Sequence, residues 1–451
     1  MINEFRRMFL KKKSTYKSIC GRAVSAFFYA FLSVLLLMFF SCSSGEPELV
    51  FAVGGAPSEL DYWELLIREF NSEYGKNAVM LRQATDTDLR RESLAVPLRS
   101  GRNNPDIFLM DIAWIAQFAA SQWLEPLDDY IEKDDYDTSV FFKNVLHQAD
   151  IYREKLIALP VYIDCGLLYY RKDLLEKYDL KVPETWEELV DCSLNVMGSE
   201  KKHNSGFAGF IWQGAQYEGL VCSFIEFISA NNGSIFSGSG ETVLNSEENT
   251  EALRFMKDLI QRYGISPPNT YTEMKEEEVR TFFQNGNALF ERNWPYAWQL
   301  HRSPDSKVRD VVGMALLPKF KGGTHSAALG GWHIAVSRYS DRKEDAWKLL
   351  KFILSGPVQK KLVMNLGWNS GRRDIYTDRE VTEKIPELAG VLKEAFRYSA
   401  ARPSLPFYTG ISRILQKYVN RCLAGGMDPD EALRKSESEI KKIIERYREG
   451  N

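Results

Sequence analysis

A chain of 451 residues that is 44% hydrophobic, 26% charged and 13% aromatic is too apolar for a disordered tail, lacks the repeat of a collagen or coiled-coil rod, and is too polar for a polytopic membrane protein. Its length exceeds what one hydrophobic core usually organises, so two domains or lobes are expected. The formal net charge of −3 conceals seven Lys and Arg against one Glu in the first 41 residues; the remainder therefore carries −9, which argues against nucleic acid as a partner.

The basic start ends at Arg22 and is followed by an uncharged apolar run, Ala23 to Phe40, and then by Ser41-Cys42-Ser43-Ser44-Gly45. A basic segment, an apolar segment and a small residue before the cut describe a secretory signal. The place of Cys42 resembles a bacterial lipoprotein signal, in which the cysteine is acylated and becomes the new N-terminus. The box departs from that pattern, with Phe39-Phe40 where Leu and a small residue are preferred. The alternative is an uncleaved membrane anchor, since roughly 18 apolar residues suffice to span a bilayer. Either reading places the rest of the chain outside the cytoplasmic membrane.

Residues 48 to 53 form a short apolar run broken by Gly54-Gly55. Leu60, Trp63, Leu66, Ile67 and Phe70 then recur at helical spacing, with Ser58 as N-cap and Asp61 three residues on. Strands are expected at Asn77 to Gln83 and Asp106 to Met110, the latter ending at Asp111 before a helix carrying Ile112, Ile115, Ala116 and Phe118. Strands at Leu156 to Leu159 and Cys165 to Tyr170 follow. Thr185-Trp186-Glu187-Glu188 reads as a capping box. Further on come a helix from Ser246 to Tyr263 and strands at Asn287 to Glu291, Val311 to Leu316 and Trp332 to Ser337. The helices Asp345 to Leu354, Ile411 to Leu423 and Asp430 to Arg448 close the chain. Alternation of this kind implies an α/β sheet, mostly parallel. The absence of a low-complexity linker implies lobes interleaved in sequence.

The remaining cysteines are Cys20, Cys165, Cys192, Cys222 and Cys422, without a CxxC pair. Free, buried thiols are expected, with one long-range disulfide as the alternative. No P-loop, GxGxxG, HExxH, EF-hand loop or GxSxG elbow is present, so neither a cofactor nor a metal is expected. A glycosidase-type carboxylate pair has no positive support from spacing.

Polar and aromatic residues gather instead at strand ends, where ligands bind in open α/β sheets. These are Glu59, Asp111, Tyr162, Asp164, Trp294, Tyr296 and Trp298. Carboxylates accept from adjacent hydroxyls and aromatic faces stack on a pyranose, so the set suits a neutral polyhydroxylated ligand. Each residue also has a plainer reading. Glu59 could complement a helix dipole, Asp111 could be only an N-cap, Trp294 and Trp298 could be core, and Arg91 and Arg402 could be solvated.

The stretch from Leu159-Pro160-Val161-Tyr162-Ile163-Asp164-Cys165-Gly166 to Leu175 resembles the family 1 extracellular solute-binding proteins of carbohydrate ABC importers, in particular their trehalose- and maltose-binding branch. The resemblance continues through residues 84 to 91, 108 to 114, 212 to 220, 290 to 298, 330 to 333 and 401 to 403. It implies a two-lobed periplasmic-binding-protein fold, with interleaved lobes joined by three hinge crossings near residues 164, 330 and 375 and a ligand cleft between them. One lobe would comprise 42–164 and 330–374, the other 165–329 and 375–451, after a signal segment 1–41. The family's sugar contacts fall on Glu59, Arg91, Asp111, Tyr162, Asp164, Trp294, Gly331, Trp332 and Arg402, with Tyr296 and Tyr408 beside them. Cys165 stands where a small residue is expected in the hinge. The function implied is that of a membrane-tethered, non-enzymatic receptor for an α-linked disaccharide, trehalose or maltose, which closes on its ligand and docks on a permease. The rivals are an extracytoplasmic glycosidase and a receptor of the same fold for another solute or for signalling.

Overall fold

The computed structural model describes residues 48–449. The expected signal segment, Cys20 and the acylation at Cys42 lie outside the described residues. Twelve strands follow in order: β1 (Leu49–Val53), β2 (Ala78–Arg82), β3 (Ile107–Asp111), β4 (Ile151–Tyr152), β5 (Lys155–Leu156), β6 (Leu159–Cys165), β7 (Leu167–Arg171), β8 (Ala208–Ile211), β9 (Ala288–Asn293), β10 (Val312–Ala315), β11 (Ala327–Val336) and β12 (Ser399–Ala401). They build a six-stranded sheet, in order β12-β11-β3-β1-β2 with β6 also on β11, and a four-stranded sheet, β10-β7-β9-β8. The short β4-β5 hairpin stands apart.

Both sheets are mixed, which corrects the expectation of a mostly parallel arrangement. β1 runs parallel to β2 and β3, but β11 is antiparallel to β3 and β6, and β7 is antiparallel to β9 and β10. The reason lies in the connections: β6 and β11 return into a sheet already started by βα units, and Gly166 alone separates β6 from β7.

The six-stranded sheet is buried on both faces, and its strands alternate between two cores as a pleat requires. Phe51, Val53, Ile107, Leu109, Ile334 and Val336 face one core. Ala52, Phe108, Met110 and Ala335 face the other. The four-stranded sheet has its own core, which takes in Ile411 and Leu415 of the helix Tyr408–Leu423 and Leu433 and Ile440 of the helix Pro429–Glu449. β12 nevertheless joins the six-stranded sheet, parallel to β11. The chain thus passes repeatedly between two lobes, each built on one sheet.

Three local readings change. The first helix runs Pro57–Tyr74 with Ala56, not Ser58, at its N-cap; the proline takes the first helical position, where its missing N–H costs nothing. Tyr162 and Asp164 lie within β6 rather than after a strand ending at Leu159, because β6 continues along β11 as far as Cys165. Asp111 closes β3 and caps a 3-10 turn, Ile112–Trp114, before the helix Ile115–Ala120. The Thr185 capping box with Glu188 is present. Cys165, Cys192, Cys222 and Cys422 are free and buried. Among the described residues no helix is long and apolar enough to cross a membrane.

Candidate functional site

The loop after β1 supplies the first side chains. Glu59, in the first turn of the helix Pro57–Tyr74, accepts from the Ala56 amide at 2.7 Å and from Trp368 Nε1 at 2.8 Å. Its helix-dipole and site-facing readings therefore coexist. Burial raises its carboxyl above the usual range, and those two hydrogen bonds offset it only in part. Arg90, on the helix Thr87–Arg99, donates from Nε to the Ala84 carbonyl at 2.6 Å and lays its guanidinium 4.4 Å from the Trp332 ring centre. Gly54-Gly55 makes both placements possible. A Cβ on Gly54 would lie 2.4 Å from Arg90 Nε, and one on Gly55 would lie 2.6 Å from Glu59 Oε2.

Asp111 serves two partners through Oδ1, the Ala113 amide at 2.8 Å and Arg402 Nη2 at 2.7 Å. The second nitrogen of Arg402 reaches Glu218 at 3.1 Å. Glu218, at the start of the helix Glu218–Ala230, also accepts from Tyr408 at 2.6 Å and Ser412 at 2.5 Å. Arg402 thereby ties the end of β3 to a helix packed in the other lobe. Burial raises Glu218, with Arg402 opposing.

β6 and β11 form the floor. Asp164 lies opposite Gly330, and Tyr162 opposite Trp332. Burial pushes the Asp164 carboxyl up to about 7, with the Glu59 and Asp111 charges adding to it. Gly331 has φ +144°, and a Cβ there would meet the Tyr162 carbonyl oxygen at 2.8 Å, so the strand pairing itself requires glycine. Trp332 packs edge-on against Trp114, ring centres 5.4 Å apart. After β9, the Trp294 ring lies beside Gly330, and Arg292 sits 4.0 Å from that ring and is itself held by a bidentate, buried pair with Glu226. Tyr296 donates to Glu277 at 2.7 Å.

A cavity of about 390 Å³ opens among these groups. Of the residues singled out in the sequence, Glu59, Asp111, Tyr162 and Asp164 line it, as do Trp294, Tyr296, Gly331, Trp332 and Arg402. Trp298 does not; it is core. Arg91 and Tyr408 are also off the cavity wall and face a small adjoining space. The cleft arginine of this helix is Arg90, because successive residues on a helix point about 100° apart. Glu218, Trp368, Asp86 and Lys275 also line the cavity, and no strand-end signal in the sequence marks them. The cavity carries eight carboxylates against Arg90, Lys275 and Arg402, a balance that disfavours an anionic ligand. No cluster among the described residues could hold a metal ion.

Residues 56–360 match the family model for a bacterial extracellular solute-binding protein. A protein of Deinococcus radiodurans described as a probable ABC transporter-binding protein is 31% identical over 374 residues, 82% of this chain and 87% of that one. An arabinooligosaccharide-binding protein of Bacillus subtilis is 26% identical, covering 79% and 82%. Among solved structures, maltose-bound MalE3 of T. maritima superposes with a TM-score of 0.83 at 34% identity, over 88% of this chain and 99% of that one. A solute-binding protein of Thermotoga lettingae bound with α-D-tagatose gives 0.80 at 27% identity, over 88% and 100%.

Proposed function

The chain belongs to the bacterial extracellular solute-binding protein family, and from that premise we propose that it binds an α-linked disaccharide, trehalose or maltose, and delivers it to its permease. At the coarser level it is the solute-binding component of an ABC sugar importer, and proteins of this family bind rather than transform their solutes. The observation that carries the finer reading is the meeting of Trp294 and Trp332 with buried carboxylates and arginines in one cavity. Tryptophan faces stack on the C–H faces of pyranose rings, Glu59, Asp111 and Asp164 accept from hydroxyls, and Arg90 and Arg402 donate to ring and hydroxyl oxygens. About 390 Å³ lies at the low end of the range of roughly 300 to 1,000 Å³ for small-molecule sites, which suits a ligand of one or two rings. Maltose in the T. maritima relative supports the same class.

In this reading the lobes 42–164 with 330–374 and 165–329 with 375–451, apart from β12, which pairs into the first lobe's sheet, close on the sugar by a hinge. The ligand gains by binding the closed form better than the open one. Acylation at Cys42 would hold the protein on the outer side of the cytoplasmic membrane. Mass spectrometry of membrane-extracted protein is expected to find an acylated N-terminal Cys42; an intact Met1 terminus would establish the uncleaved anchor instead.

The test of the ligand class is a thermal-shift panel of trehalose, maltose, sucrose, α-D-tagatose and ribitol. The disaccharides trehalose or maltose are expected to give the largest shift, and a larger shift with the monosaccharide or polyol would overturn the assignment. Assay of the same mixtures for free glucose separates binding from glycosidase action: release over many turnovers contradicts a receptor.

A further inference from the structure

One ion pair in the cavity joins the starts of two helices from different lobes. Lys275 occupies the N-cap of the helix Glu276–Gln284, where it makes no side-chain cap hydrogen bond. A lysine is poorly suited to that position, because it offers no oxygen to the unpaired amides and sets a positive charge at the positive end of the helix dipole. Its ammonium instead reaches Asp86 Oδ2 at 2.5 Å. Asp86 is the N-cap of the helix Thr87–Arg99 and accepts from the Leu89 amide at 3.1 Å through its other oxygen. The two helices belong to different lobes. Leu94, Ala95 and Leu98 of the Asp86 helix pack with Ala52 and Phe108 of the six-stranded sheet, whereas the Lys275 helix packs on β9 of the four-stranded sheet.

The pair stands at the rim. Lys275 and Asp86 are 40% and 20% exposed, against 3% for Arg402 deeper in the site. Both nevertheless line the cavity, and the Lys275 ammonium lies 5.3 Å from the ring centre of Tyr217, another wall residue. A half-exposed pair of this kind is weak enough to open and re-form with the lobes, yet while formed it places a solid bar from lobe to lobe.

We propose that the Asp86–Lys275 pair is a length-limiting bar, closing one end of the cleft so that the site accepts two sugar rings and rejects a third. The proposal rests on the sugar reading above and adds to it the residues that set ligand length. A third ring would have to displace the bar, separating the two charges that join the lobes.

The test is calorimetric titration of the full chain with trehalose, maltose and maltotriose. The readout is the ratio of the maltotriose Kd to that of the tighter-bound disaccharide. The parent is expected to favour the disaccharide by at least about tenfold. Lys275→Ala removes the bar, and Asp86→Asn removes the charge while keeping a capping oxygen, so the helix retains its start. Each variant is expected to lower the ratio about two- to fivefold. A ratio unmoved in both folded variants, or a parent that binds maltotriose as tightly as the disaccharide, overturns the bar and leaves the sugar reading intact. A folded parent that binds none of the three sugars overturns the sugar reading and the bar together.

Discussion

Asp164 and Asp111 differ in what surrounds them, and so differ in what their loss would do. Burial, with the Glu59 and Asp111 charges behind it, pushes the Asp164 carboxyl up to about 7, and Asn369 and Arg292 oppose only in part. In the unfolded chain an aspartate titrates near about 3.9. The folded state therefore keeps its proton to higher pH. The stability this contributes is present in full below about pH 4 and is lost as the pH rises through about 7. Asp164→Asn, which keeps the shape and cannot ionise, is expected to raise the melting temperature by roughly 2 to 6 °C at pH 8 and to converge with the parent as the pH falls towards about 4. An equal shift at both values would contradict that origin. Asp111 already has two partners, the Ala113 amide and Arg402. Asp111→Ala is thus expected to weaken sugar binding and to cost stability of about 1 to 3 kcal/mol as well. Trp332→Ala removes a stacking face of the cleft, and calorimetry is expected to show a loss of roughly 2 to 4 kcal/mol, about 30-fold to 1,000-fold in Kd. Parent-like affinity in a folded Trp332 variant would remove that residue from the site.

At the scale of single elements, periodicity was a good guide and phase was not. Leu60, Trp63, Leu66, Ile67 and Phe70 mark the buried face of the first helix, and all five are buried. Most strand limits fall within a residue or two of their expected places, because Val, Ile, Phe and Leu bounded by turn residues leave little choice. Arg90 and Arg91 show where such reading stops. Both are buried on one helix, with the same polar neighbours in sequence, and only packing on the sheet decides which turns to the cavity. The length of β6 was hidden for a related reason: its continuation to Cys165 depends on pairing with β11, which lies far along the chain. Gly330-Gly331 was noted only as part of a resemblance, yet its backbone explains it. Gly331→Ala would force a side chain into positive φ and against the Tyr162 carbonyl. Unfolding by denaturant is expected to show a loss of about 1 to 3 kcal/mol, with sugar affinity reduced because Tyr162 and Trp332 flank the site. A variant unchanged in both would mean that the pairing relaxes without cost.

For the whole molecule, interleaving of the lobes was legible from the lack of a linker, while the partners that cross between them were not. Arg402 with Asp111 and Glu218, and Lys275 with Asp86, join residues that no local pattern connects. Gly166 alone separates β6 of one sheet from β7 of the other, a connection short enough to act as a hinge between two rigid lobes. A clamp of that form makes its ligand part of the closed structure. The direct measurement is small-angle X-ray scattering of the protein with and without saturating trehalose or maltose. The radius of gyration is expected to fall on adding the bound sugar and to stay constant with a sugar that gives no thermal shift. An unchanged radius at saturation with a sugar that calorimetry shows to be bound would contradict closure of the two lobes around it.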